Sequence, residues 1–440
     1  MTVKVIGAGL AGCEAAVQLA RRGFDVELHE MKPEKYSPAH HYAGFAELVC
    51  SNSLKAARPE SACGLLKEEM RRFGSVILEA ADKTAVPAGG ALAVDRTKFS
   101  DEVTRIVRSY LNIRVVSGEV TEIPERNAVI CTGPLTSDAL AEKIRGICGE
   151  GLSFYDAAAP IVSAESIDFS KAFYQTRYDK GEADYVNCPM DRDEYQAFYD
   201  ALVNAESAPL KEFDRPEESA GMKVFEGCMP VEVLAKRGFE SVRYGCMKPV
   251  GLTDPRTGKR PYAVVQLRKE NRDGTMYNLV GFQTNLKFGE QKRVFSMIPG
   301  LEHAEFIRYG VMHRNTFLES PAVLTKGLYL KEHPNVFFAG QITGFEGYME
   351  SAASGLLAAH NLYARLQGRE LPPPPTATMC GALIDYITTP NKDFQPMGAN
   401  MGILPRTEEI DTIRDKRERY MALSDAAQAA MRAWAAEAEH

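Results

Sequence analysis

The sequence predicts an α/β fold, a parallel-strand domain split by a smaller inserted α+β domain. Three observations carry this. Val3 to Ile6 is an apolar run followed by Gly7, Gly9 and Gly12 at Gly-x-Gly-x-x-Gly spacing, a helical stretch and a second strand. A similar strand, Gly-rich turn and small-residue helix recur at Asn335 to Gly355. Between them, from about Ser170, charged and aromatic residues mix without the parallel-strand texture.

The opening segment reads as follows. Gly7 permits the tight turn, Gly9 lets a pyrophosphate approach the backbone, and Gly12 lets the helix pack on the strand. Ala8, Leu10 and Ala11 fill the motif, and the helix reads as Glu14 to Arg22. Its N-terminus offers free N–H groups and partial positive charge to phosphates. Val26 to Glu30 is the second strand, and Glu30 stands at the offset of a ribose-binding carboxylate. This is a Rossmann-like dinucleotide site. The closing segment, with Gly340 and Gln341, would aim a second helix N-terminus at the same ligand. The two together favour FAD over NAD and a domain of the glutathione-reductase type. Thr132-Gly133, ending the strand from Ala128, would lie beside that cofactor.

Composition bounds the rest. The chain has 440 residues, 45% hydrophobic and 25% charged, enough for two or three domains. No signal peptide or bilayer-spanning apolar run is read in it. Its nine cysteines have no pairing pattern and no Cys-x-x-Cys, so reduced thiols in the cytoplasm and no metal are expected. The net charge of −7 argues mildly against nucleic acid. Locally the balance reverses. Between Gly221 and Arg293 stand 14 Lys and Arg against 7 Asp and Glu, interleaved with Tyr244, Tyr262, Tyr277 and Phe282. That pattern suits either phosphate contact with base stacking or a solvated face of a β-rich domain.

In chain order, Ser51 and Ser53 are candidate caps for a helix from Leu54, which would lower the pKa of Cys50 just before it. The plainer reading of Cys50 is a small buried residue. Ala62 to Phe73 and Asp95 to Tyr110 read as helices, and Thr84 to Ala93 as loop. Ile113 to Val116 and Glu119 to Ile123 read as strands, Asp191 to Ala205 as helix. Cys228, between Gly227 and Met229-Pro230, sits on a turn, either as an idle loop thiol or as a nucleophile. His313 falls in a strand-like stretch. Pro372 to Pro375 is a stiff spacer, and a helix begins near Thr407. The domains are expected at 1–170 and 301–440 for the two parts of the FAD-binding domain, with 171–300 inserted.

Six blocks together resemble the bacterial folate- and FAD-dependent tRNA (uracil-5-)-methyltransferases over nearly the whole length. They are Gly7 to Ala16, Glu47 to Ser53, Cys131 to Ser137, Glu226 to Pro230, Met247 to Leu252 and Gly340 to Gly344. The resemblance implies methylenetetrahydrofolate as carbon donor, reduced FAD as reductant and carbon relay, and NADPH or NADH to recharge it. A T-loop uridine of tRNA is the implied substrate. Cys228 matches the nucleophile that adds to uracil C6, and Cys50 the second active-site thiol. His313 and Tyr348 are implied stacking partners for the pterin. Many flavoproteins carry Asp where Gln341 stands; an amide can still hydrogen-bond a ribityl chain. Two alternatives stay open. One is the larger flavoprotein that modifies the wobble uridine, which normally carries a further helical C-terminal domain. The other is a non-enzymatic FAD-binding electron-transfer module.

Overall fold

The structure is a computed structural model that describes residues 1–148, 152–157, 159–179, 183–208, 229–271, 273–391 and 394–439. Its first layer is a five-stranded parallel sheet. The strands are β1 (Thr2–Ile6), β2 (Asp25–Glu30), β6 (Ile113–Ser117), β7 (Ala128–Ile130) and β16 (Val336–Phe338), in the order β16-β7-β1-β2-β6. Val3 and Val5 are fully buried at its centre. Helix α1 (Leu10–Arg21) crosses from β1 to β2 and is buried from Leu10 to Ala20. What covers it is helix α11 (Tyr348–Leu366), the helix of the closing segment. The two approach closely because one contact is glycine. A Cβ on Gly355 would fall 2.1 Å from the Ala11 carbonyl oxygen.

A small antiparallel sheet, β3 (Ser53–Ala56), β5 (Ala91–Val94) and β4 (Ala85–Val86), flanks this core. Helices α2 (Ala62–Arg72), α3 (Val76–Lys83) and α4 (Arg96–Ser109) pack around it. Buried carboxylates cap two helices in this layer. Glu14 accepts from the N–H groups of Val76 and Ile77 at the start of α3. Glu69 accepts from Met379 and Cys380 at 2.7 and 2.9 Å, at the start of α12 (Met379–Thr388). Free helix-terminal N–H groups are the natural partners of a buried carboxylate.

The third sheet is antiparallel and has its own core. It joins β10 (Phe173–Tyr174), β11 (Tyr185–Met190), β12 (Ala263–Lys269), β13 (Met276–Leu279), β9 (Ile161–Ser163) and β14 (Phe306–Arg308). Helices α6 (Arg192–Val203), α7 (Val231–Ala235), α8 (Phe239–Tyr244) and α9 (Phe288–Phe295) supply much of that core, centred on Tyr195, Phe198, Phe282 and Phe295. The chain leaves the first core along β8 (Leu152–Ala157) and returns along β15 (Met312–Phe317). These two strands pair antiparallel.

Several local expectations are corrected. The first helix begins at Leu10 rather than Glu14, with Gly9 as its cap. No helix follows Ser51 and Ser53. Ser53–Ala56 is strand β3, and the next helix starts at Ala62, capped by Ser61. Thr84 to Ala93 contains two strands, because each pairs with a neighbour distant in sequence or across a turn. Glu119 to Ile123 alternates but finds no partner strand and stays irregular. The terminal helix is broken into α13 (Glu408–Asp411) and α14 (Lys416–Glu439).

Candidate active site

One cavity of about 360 Å³ runs from the β1–α1 turn to the loop carrying Cys50. At its first end, Gly7 holds φ +98°, a left-handed backbone that favours glycine. A Cβ on Gly12 would strike the Gly7 carbonyl oxygen at 1.8 Å, so Gly12 serves the fold. A Cβ on Gly9 would meet nothing within 4 Å, so the space over it is open to the cavity. Ala8, Leu10 and Ala11 line the same wall. Glu30 is buried, and its carboxylate accepts from the Ala8 N–H at 2.8 Å and the Lys32 N–H at 3.0 Å. It thereby ties the end of β2 to the glycine turn.

Thr132 and Gly133 line the middle of the cavity, Gly133 at φ +70°. The Thr132 hydroxyl lies 2.6 Å from that of Thr136. Gly340, at φ +87°, donates its N–H to the Ser354 hydroxyl at 2.7 Å. Gln341 lines the cavity too, and its amide donates to the Glu346 carboxylate at 3.2 and 3.3 Å.

At the far end stands Cys50. Its Sγ lies 3.0 Å from the Tyr348 hydroxyl, and its N–H donates to that same oxygen at 2.9 Å. Burial pushes the Tyr348 phenol well above its ordinary pKa, so it stays protonated. The helix expected to act on Cys50 is absent, and that expectation falls with it. The phenol of α11 takes its place. The Cys50 loop is held from behind by arginines. Arg96 donates to the carbonyls of Leu48 and Val49 at 2.9 and 3.0 Å and pairs with Glu270. Arg268, buried in β12, donates to Asn52 and Ser51 at 3.1 and 2.9 Å. The antiparallel sheet therefore braces the thiol loop of the first core.

Cys228 lies outside the described residues. His313 lies in β15, its backbone paired with Asp156. Sequence reasoning missed four residues of the far wall: Lys55, Gln283, Arg308 and Glu350. Arg308 has one guanidinium nitrogen, Nη2, with no hydrogen-bond partner, and burial holds its pKa below the usual range. Nothing in its local sequence marks Arg308, since β14 carries it to the cavity only through pairing with β9. Lys55 and Glu350 do adjoin the recognised blocks, and that adjacency was the available signal. Among the described residues no group of three or more His, Cys, Asp or Glu could hold a metal.

Residues 2–370 match the family model described as glucose inhibited division protein A. A Desulforamulus reducens protein named methylenetetrahydrofolate–tRNA-(uracil-5-)-methyltransferase TrmFO is 58% identical over 98% of this chain and 97% of its own. Its namesake from Heliobacterium modesticaldum is 59% identical over 96% and 95%. The chain belongs to this methyltransferase family. Its fold is also that of the solved Aquifex aeolicus GidA, with a TM-score of 0.68 over 98% of this chain and 73% of that one, at 17% identity.

Membership makes FAD and methylenetetrahydrofolate the family's cofactor and carbon donor, and the first end of the cavity fits a dinucleotide. The open space over Gly9, the start of α1 and buried Glu30 are the parts such a group needs. Among the described residues no helix is long and apolar enough to cross a membrane.

Proposed function

We infer that the chain methylates C5 of a T-loop uridine in tRNA, taking the carbon from methylenetetrahydrofolate. The carrying observation is the Cys50–Tyr348 pair at one end of a dinucleotide cavity, in a chain 58% identical to a named methyltransferase of this type. FAD, when bound, supplies reducing power and relays the carbon; NADPH or NADH recharges it. The reaction belongs in the cytoplasm.

Residues 7–11 and Glu30 hold the nucleotide, with Thr132, Gly133, Gly340 and Gln341 along its length. Uracil C5 is a weak nucleophile until a soft nucleophile adds at C6, and a thiolate suits that addition. Cys228 is that group. Val231, three residues on, donates its N–H to the Gln283 carbonyl at 2.7 Å, and Gln283 lines the cavity. Cys50 then holds the proton that leaves C5, its Sγ steadied by the Tyr348 hydroxyl. The Tyr348 ring and His313 are assigned to the pterin. The division into an FAD-binding domain interrupted at residues 171–300 by a tRNA-holding unit belongs to the same proposal.

The test is direct. Purified protein, labelled methylenetetrahydrofolate, NADPH and unmodified tRNA should yield 5-methyluridine in the T-loop. Cys228→Ala should keep its flavin, oxidise NADPH and lose methylation by about 10³-fold or more. Normal methylation by that variant refutes the nucleophile assignment. Modification of the wobble uridine, or none at all, refutes the function.

A further inference from the structure

Besides Arg308, the far wall of the cavity carries a lysine held in an ion pair. Lys55 Nζ lies 3.1 Å from Glu350 Oε1, which also accepts the Ala399 N–H at 3.0 Å. The Glu350 side chain is 0% exposed and that of Lys55 49%. A buried carboxylate is costly unless paired, so the ammonium is held where Glu350 is.

Three further features fix it there. Lys55 has φ +63°, a left-handed backbone that a lysine rarely adopts. A Cβ on Gly347 would fall 2.9 Å from its Nζ and 2.2 Å from Glu350 Oε2. A Cβ on Gly398 would fall 3.4 Å from the same Nζ. Two glycines from separate segments thus lie against this one ion pair. Burial works against the charge on Lys55, but the Glu350 carboxylate outweighs it and holds the ammonium pKa above its ordinary value. Gly347 also caps α11, so the positive end of a 19-residue helix points the same way.

We propose that Lys55 stabilises the negative charge of the reduced flavin ring, with Glu350 as its positioning residue. This rests on the cavity being the FAD site. Glu30 and the glycine turn take the adenosine and pyrophosphate at one end, so an extended dinucleotide lays its ring toward the other, where Lys55 is. A flavin that gains two electrons and one proton carries one net negative charge, spread over N1 and C2=O of its pyrimidine ring. The oxidised ring is neutral. A fixed cation there favours the reduced form alone, because only that form carries the charge it meets.

The experiment is a dye-coupled reductive titration of the FAD-loaded protein, without tRNA or folate. Lys55→Met should shift the two-electron equilibrium toward oxidised flavin tenfold or more, a fall of about 30 mV or more in midpoint potential. Lys55→Arg should restore most of it, and Glu350→Asp, which keeps the charge but draws the carboxylate back from the ammonium, should fall between. If Lys55→Met releases its flavin, Lys55→Gln at saturating FAD replaces it, and equal potentials in the Gln and Arg variants overturn the proposal. So does an unchanged potential in Lys55→Met, including the case where only folate affinity drops, which would assign the cation to the folate. A wild-type protein that binds no FAD sinks the cofactor reading itself, a separate outcome.

Discussion

The two ends of the cavity are built by different rules. At the glycine-turn end, Gly7, Gly9, Gly12 and Glu30 come from one strand–helix–strand unit, and its key contact, Ala8 N–H to Glu30, spans 22 residues. At the thiol end, Cys50 meets Tyr348 across 298 residues and Lys55 meets Glu350 across 295. Arg268 reaches Asn52 across 216. The first end uses backbone N–H groups and absent side chains. The second uses side-chain pairs delivered by separate elements. A backbone site can be written in a short motif, because local dihedrals define it; a side-chain site needs the whole packing.

The comparison can be broken most sharply at Gly9. Gly9→Val has no protein atom to strike and an ordinary φ of −74°, so the fold should persist while FAD binding is lost. A decrease in flavin affinity of 100-fold or more is expected from flavin fluorescence, with unchanged circular dichroism. Gly12→Val should instead fail to fold, since its Cβ meets Gly7 at 1.8 Å. Full flavin retention in Gly9→Val would move the pyrophosphate elsewhere.

A second test concerns the antiparallel half. Its basic excess is partly spent internally: Arg243 pairs with Glu240, Arg256 with Asp254, Lys287 with Glu206 and Arg293 with Glu290. Lys248, Lys259 and Arg260 are exposed. Changing these three to Gln should weaken tRNA binding about tenfold at moderate salt and flatten the salt dependence, because fewer counterions are released. Flavin spectra should not move. Unchanged affinity and salt slope would place the RNA on another face.

The smallest effect is expected at Tyr348→Phe. It removes one hydroxyl from the Cys50 thiol and from two backbone N–H groups while keeping the ring. A loss of about 1 kcal/mol, roughly fivefold in methylation rate, is expected, with folate affinity unchanged if the ring alone meets the pterin. A fall in folate affinity instead would show that the hydroxyl, not the ring, serves the donor.

Legibility followed the same division. The glycine turn, the β1–α1–β2 unit and the closing strand and helix were readable because period, glycine spacing and buried apolar runs are local signals. The residues after Cys50 form strand β3 rather than the expected helix. Ser51 and Ser53 are good caps, but β3 is held by pairing with β5, and a tertiary ladder overrides a local preference. Glu119 to Ile123 shows the converse, a strand pattern without a partner. The excess of lysine and arginine was visible, but not that Arg268 is buried behind the thiol loop.

By itself, then, the sequence determined the two strand–glycine–helix units, since each unit encodes its own turn, and motif resemblance supplied the chemistry. Only the tertiary structure decided that α11 packs on α1, bringing Tyr348 to Cys50 and Glu350 to Lys55, and that β12 and β14 carry Arg268 and Arg308 to the same end. Those contacts join residues far apart in the chain. No local preference encodes them, because they arise only when distant apolar faces are buried together and polar groups must find partners in the space that remains.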